Sequence, residues 1–132
     1  MPNTSPIALV QGWQDAVNRQ DSTRLVELSA PDIEVVGPRG SGHGYQLLQE
    51  WLERAGLHLT TLRAFARDNV VVVAQHGVWR SSETGEITGE RDLASRFLIN
   101  GQHVVQFARY DNLDVALEEA GLQLSDEIPV SS

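Results

Sequence analysis

The sequence predicts an α+β fold in which N-terminal helices pack on one face of a strongly curved antiparallel sheet. Three observations carry that prediction. Up to Ala55 most apolar residues recur at helical spacing, from Leu57 the period changes to two, and the period-two segments are long and divided by tight-turn signals.

The elements follow in order. Thr4 or Ser5 before Pro6 marks a helix start, with the hydroxyl as N-cap and the proline in the first turn, where its missing N–H costs nothing. Val10, Trp13 and Val17, with Ala16 beside them, carry this helix to about Arg19. Asp21 or Ser22 caps a second, short helix bearing Leu25, Val26 and Leu28, which Ala30-Pro31 is expected to end because the residue before proline avoids helical angles. Ile33 to Gly37 reads as a short strand. It breaks at Gly37-Pro38-Arg39-Gly40-Ser41-Gly42-His43-Gly44, read as a loop because glycine or proline falls on five of its eight positions. Tyr45, Leu48, Trp51, Leu52 and Ala55 form one apolar stripe on a third helix, stopped by Gly56. Four strands then follow in hairpin order: Leu57 to Arg67, Val70 to Ser81, Ile87 to Ile99 and His103 to Tyr110, with turns at Asp68-Asn69, Glu83-Thr84-Gly85 and Asn100-Gly101. Most exceed the usual strand length of roughly five to six residues, and such strands bend and wrap. A last short helix begins at Asp111-Asn112-Leu113-Asp114, presents Leu113, Ala116, Leu117 and Ala120, and closes at Gly121 with Leu122 folding back. The domain therefore spans residues 1–123, and 124–132 read as an exposed acidic tail.

Composition narrows the chemistry. The chain of 132 residues has no cysteine, and its ten basic residues are all arginine, which removes lysine Schiff bases, thiolate nucleophiles, disulfides, cysteine-rich zinc sites and the P-loop lysine. The net charge is −8, but six of the eighteen acids lie from Asp111 onward, where there is no arginine. An acidic chain without a basic stripe is not expected to bind nucleic acid or an anionic membrane. No apolar run approaches the roughly 18 residues of a spanning helix, and Met1 to Pro6 is too polar and uncharged to open a signal peptide, so a cytoplasmic location is the default expectation. No cofactor motif is present.

The order helix, helix, strand, loop, helix, four long strands resembles the nuclear transport factor 2-like superfamily, the cone-shaped fold of ketosteroid isomerase, scytalone dehydratase, limonene epoxide hydrolase and the SnoaL-type polyketide cyclases. The resemblance rests on Gln11 to Asp21, with its Asn18-Arg19-Gln20-Asp21 turn, on the run from Ile33 to Ala55, and on Arg96-Phe97 leading through Asn100-Gly101 to the closing strand. It implies a pocket between helices and sheet for a small-molecule ligand, and a homodimer through the outer sheet face. The isomerase chemistry is not implied: its tyrosine, base and aspartate positions fall on Trp13, Gly37 and Leu93, with Asp92 one residue from the last. The hydrolase pattern meets Glu90-Arg91-Asp92, but adjacent strand residues face opposite ways. If Leu93 and Phe97 face inward, so do Arg91 and Ser95, leaving Asp92 and Arg96 outside.

Candidate chemical groups are therefore few. His43, His58, His76 and His103 titrate near neutrality, but none stands in a metal-ligand spacing, so no metal site is expected. His76, in mid-strand, is the candidate general base, and His43, in the glycine-rich segment, is the second; a structural or solvated histidine is the competing reading of each. Arg39, Arg63 and Arg91 are candidate clamps for an anionic group. Trp13, Tyr45, Trp51, Trp79 and Phe97 would line or plug the cone, with Ser95 beside them. Two functions stay open: a SnoaL-like pocket protein for a small, mostly apolar organic ligand, with acid–base chemistry from an inward polar group, or a non-catalytic ligand-binding or dimeric interaction module.

Overall fold

A computed structural model describes residues 5–37, 40–81 and 83–129. Ser5 caps α1 (Pro6–Asn18) by accepting from the Ala8 N–H at 3.3 Å, and Asp21 caps α2 (Ser22–Glu27) by accepting from Arg24 at 3.1 Å. Thr4, the alternative first cap, lies outside the described residues. α2 ends at Glu27, before the Ala30-Pro31 step, and that step lies inside β1 (Ser29–Gly37), which starts earlier than Ile33. The proline is tolerated there because the pairing of β1 with its neighbour is interrupted between Ser29 and Glu34, so the absent N–H breaks no ladder.

Within the glycine-rich segment, residues read as loop are strand. Gly40–His43 forms β2, antiparallel to β1 with Glu34 opposite His43 and Val35 opposite Gly42. α3 (Tyr45–Ala55) follows and stops at Gly56, whose φ of 54° suits glycine; a Cβ there would stand 2.2 Å from the Arg80 carbonyl oxygen. The long strands are β3 (Leu57–Arg67), β4 (Val70–Arg80), β5 (Ile87–Asn100) and β6 (His103–Tyr110), and α4 (Leu113–Ala120) is capped by Asn112 and closed by Gly121. Beyond it the described residues do not hang free. A 3₁₀ turn (Leu124–Asp126) leads into β7 (Glu127–Ile128), which pairs with β3 at Ala64 and Phe65.

The sheet order is β2-β1-β6-β5-β4-β3-β7, antiparallel except where β1 runs parallel to β6. The register assigns the faces. Val71, Val73 and Gln75 on β4 stand opposite Phe97, Ser95 and Leu93 on β5, and Phe97 stands opposite Phe107 on β6. Of these, Val71, Val73, Phe97 and Phe107 meet α1, α2 and α3 in the main core with Val10, Trp13, Leu25 and Leu48. A bulge between Thr61 and Arg63 switches the phase of β3, so Leu59 and Thr61 share the inner face with Ala64 and Ala66. On the outer face α4 and Leu122 cover Phe65, Val72 and Ala94 in a second core. Helices therefore sandwich part of the sheet. No described helix is long and apolar enough to cross a membrane.

Candidate functional site

The space beneath the helices is filled at its centre. Trp13 is fully buried, its ring centroid 4.8 Å from Phe107, 5.4 Å from Phe97 and 6.0 Å from Trp51. Its Nε1 donates to the Ser29 hydroxyl at 2.9 Å, that hydroxyl donates to the Leu25 carbonyl at 2.7 Å, and the Tyr45 hydroxyl donates to the Ser29 carbonyl at 2.9 Å. Tyr45 thus ties the start of α3 to β1. Alongside runs a polar chain from α1 across the sheet. Gln14 Nε2 donates to Thr61 Oγ1 at 2.8 Å, Gln75 Nε2 donates to Gln14 Oε1, and Ser95 Oγ donates to Gln75 Oε1 at 2.7 Å. Its members are neutral and hydrogen-bonded to one another, so the chain holds the interior together but offers no proton to exchange near neutral pH.

Beside this filled centre a cleft of about 820 Å³ opens between α3, the β1–β2 hairpin and β6. Val35, Leu47, Trp51 and Phe107 supply apolar surface, and Ser41, Arg54 and Arg109 supply polar groups. Gly42 lets α3 approach the hairpin: a Cβ there would come within 2.7 Å of the Leu47 side chain. Trp51 is partly buried, with one neighbour in the core cluster, Phe107 at 5.5 Å, also lining the cleft. No described imidazole or carboxylate lines it.

The structure distributes the candidate residues widely. His76 lies on the outer face with Val72 and Ala74, opposite Asp92. Its Nδ1 is 2.8 Å from Asp92 and its Nε2 3.6 Å from Glu90, away from the cleft. The Asp92 hydrogen bond, reinforced by the charges of both carboxylates against some desolvation, raises the imidazole pKa above its ordinary 6.5. The folded chain then holds this proton more tightly than the unfolded chain. The resulting stabilisation is complete below 6.5 and is lost as pH rises through the raised value. Thermal unfolding followed across that range should show a small fall that His76→Gln flattens; equal pH profiles for the two proteins would remove the pair from the account.

His43 is exposed on β2, 3.8 Å from Glu34, outside the cleft lining. Arg63 stands on the outer side because of the bulge, and donates through Nε and Nη2 to both oxygens of Glu127 at 2.9 and 2.8 Å. Arg91 is on the inner face, as its phase with Leu93 requires, but its guanidinium is held by Asp111 at 2.5 Å. Asp92 and Arg96 are outside, Arg96 donating to Gln106 at 2.8 Å. Trp13, Phe97 and Ser95 are buried within the core, and Trp79 packs with Leu57, Leu59 and Leu93. Trp51 alone among the candidate pocket residues lines the cleft; Arg39 lies outside the described residues. Arg54 and Arg109, which are not among the sequence candidates, also line the cleft. Arg109 could have been found from its phase, two residues after Phe107 on the same face of β6.

No family model matches this sequence, and no curated protein matches it significantly. Solved structures do. A nuclear transport factor 2-like protein of unknown function from Cytophaga hutchinsonii superposes with a TM-score of 0.71 over 84% of this chain and 93% of that one, at 13% identity. TerC, co-crystallised with polyporic acid, gives 0.70 over 88% and 98% of the two chains at 18% identity. A protein with a ketosteroid isomerase-like fold from Catenulispora acidiphila, in complex with trimethylamine, gives 0.69 over 91% and 96% at 20% identity. The chain has the nuclear transport factor 2-like fold; at these identities the likeness establishes architecture, and function has to come from the site.

Proposed function

We propose that the protein binds a small, mostly apolar organic molecule in the cleft between α3, the β1–β2 hairpin and β6, and that the cleft supplies recognition without acid–base chemistry of its own. The observation that carries this reading is the combination of about 820 Å³ of open space with aromatic and aliphatic walls and a few polar groups. Ligand sites commonly enclose about 300–1,000 Å³ with this kind of lining. Co-crystals of TerC with polyporic acid and of the Catenulispora protein with trimethylamine support the use of this architecture for small organic ligands. Their ligands differ in chemistry, so neither transfers here. The absence of an imidazole or carboxylate among the described lining residues favours binding over proton transfer.

Naphthamide, a neutral bicyclic probe, tests the reading. Titrated into the labelled protein, it should shift the amide resonances of Ser41, Leu47, Trp51 and Phe107. Trp51→Ala, which removes an aromatic wall, should weaken the probe by about tenfold while the rest of the spectrum stays folded. Shifts scattered over the outer face, or unchanged affinity in the variant, would reject the cleft as the binding site.

A further inference from the structure

We propose that the natural ligand of this cleft is an organic carboxylate whose acidic group is taken by Arg109, with Arg54 as a second cation of the same lining; this rests on the cleft being the binding site. Each described arginine except Arg109 is engaged by a carboxylate, a side-chain amide or a backbone carbonyl: Arg91 by Asp111, Arg63 by Glu127, Arg67 by Asp126, Arg96 by Gln106, and Arg54 and Arg80 by the Glu50 and Gly85 carbonyls, while Arg19 and Arg24 pair within their helices. Arg109 has no ion pair or guanidinium hydrogen bond among the described residues. Such a vacancy is conspicuous in a chain with eighteen acidic residues and ten arginines.

Its surroundings make the missing partner costly. Arg109 is half-buried in the cleft wall, and its guanidinium lies over the Trp79 indole, 5.7 Å from the ring centroid. Gly77 makes room for that support: a Cβ there would meet the Trp79 ring at 3.2 Å and Leu93 at 2.8 Å. No described residue accepts from the Arg109 N–H fork, a group that matches a carboxylate bidentately. Asp111, two residues further along, is drawn to Arg91 and does not close on Arg109. Burial, together with the neighbouring Arg91 charge and against a partial offset from Asp111, pushes the Arg109 pKa down from its ordinary value. A desolvated cation without a partner is unfavourable, and a bound anion removes that penalty.

The ligand class follows from the lining. Its body meets Val35, Leu47, Trp51 and Phe107, so it is apolar or aromatic, and its acid group meets the arginines. Arg54 uses Nε on the Glu50 carbonyl at 3.3 Å, which leaves its terminal nitrogens available to a ligand. The acidic α4 lies on the opposite face of the sheet, so its charge opposes entry weakly at physiological ionic strength.

The test compares naphthoate with naphthamide, which share a body and differ in charge. On the unaltered protein naphthoate should bind at least about tenfold more tightly, with the gap narrowing as salt is added. Arg109→Met, which keeps an unbranched stem over Trp79, should close the gap by weakening naphthoate at least about fivefold more than naphthamide. Equal affinities on the unaltered protein, tighter naphthamide, or a gap that survives Arg109→Met would overturn the carboxylate assignment while leaving the cleft reading intact. Failure of both probes to shift the cleft resonances would overturn both. Should Arg109→Met not fold, the wild-type comparison and its salt dependence still decide.

Discussion

Trp13→Ala is expected to lower the unfolding free energy by about 3–5 kcal/mol, seen as a lower denaturant midpoint at unchanged m-value. The indole is fully buried and contacts three other rings, so truncation removes apolar surface and leaves a void that Trp51, Phe97 and Phe107 border. It also removes the Nε1 donor from Ser29, although that hydroxyl keeps its own bond to the Leu25 carbonyl. Two of the bordering rings, Trp51 and Phe107, are cleft walls, so the variant should also lose affinity for naphthamide. Trp13→Phe should recover part of the stability. A loss below about 1 kcal/mol for the alanine variant would show that the ring cluster is not the packed centre of the domain.

Gln75→Leu is the second large effect, about 2–4 kcal/mol, although leucine is apolar and nearly the same size. Gln75 is fully buried and joins Gln14 on α1 to Ser95 on β5. Removing it leaves the Gln14 oxygen without its donor and the Ser95 hydroxyl without its acceptor, and stranded buried groups cost more than the net worth of the bonds they lost. Ser95→Ala added to Gln75→Leu should cost less than the sum of the single changes, because one stranded group disappears. Strict additivity in that double-mutant cycle would argue that the residues do not form a connected chain.

Strand limits were most legible where turn chemistry and alternation agreed, as for β3 and β6, whose predicted ends coincide with the observed ones. β2 was missed because Gly-Ser-Gly-His has neither an apolar phase nor strand propensity; backbone pairing with β1 creates it. β7 was missed for a similar reason, since two residues carry no period, and the Arg63–Glu127 pair that helps hold them is distant in sequence. The faces of β5 could be read from Leu93 and Phe97. The face of His76 could not, because Val70 to Val73 are apolar without alternation, a consequence of helices packing on both sides of β4. Arg63 was misplaced by the bulge, which reverses inside and outside within β3 and leaves no mark in the residue pattern. The cleft itself depends on the approach of α3 to the hairpin, a tertiary distance that local sequence does not specify.

Asn18 has a role beyond ending α1. Its side-chain amide donates to the Leu59 carbonyl at 2.9 Å and its oxygen accepts from the Leu59 N–H at 2.7 Å, as a neighbouring strand would. Further along β3 the bulge exposes Leu62, and beyond that β7 occupies Ala64 and Phe65. The outer margin of β3 is thereby interrupted at three successive points, and at the opposite margin β2 is only four residues long and rich in glycine. Neither border offers a long, flat row of free backbone groups to template another chain. Resistance to edge-to-edge aggregation is thus built into both ends of the sheet.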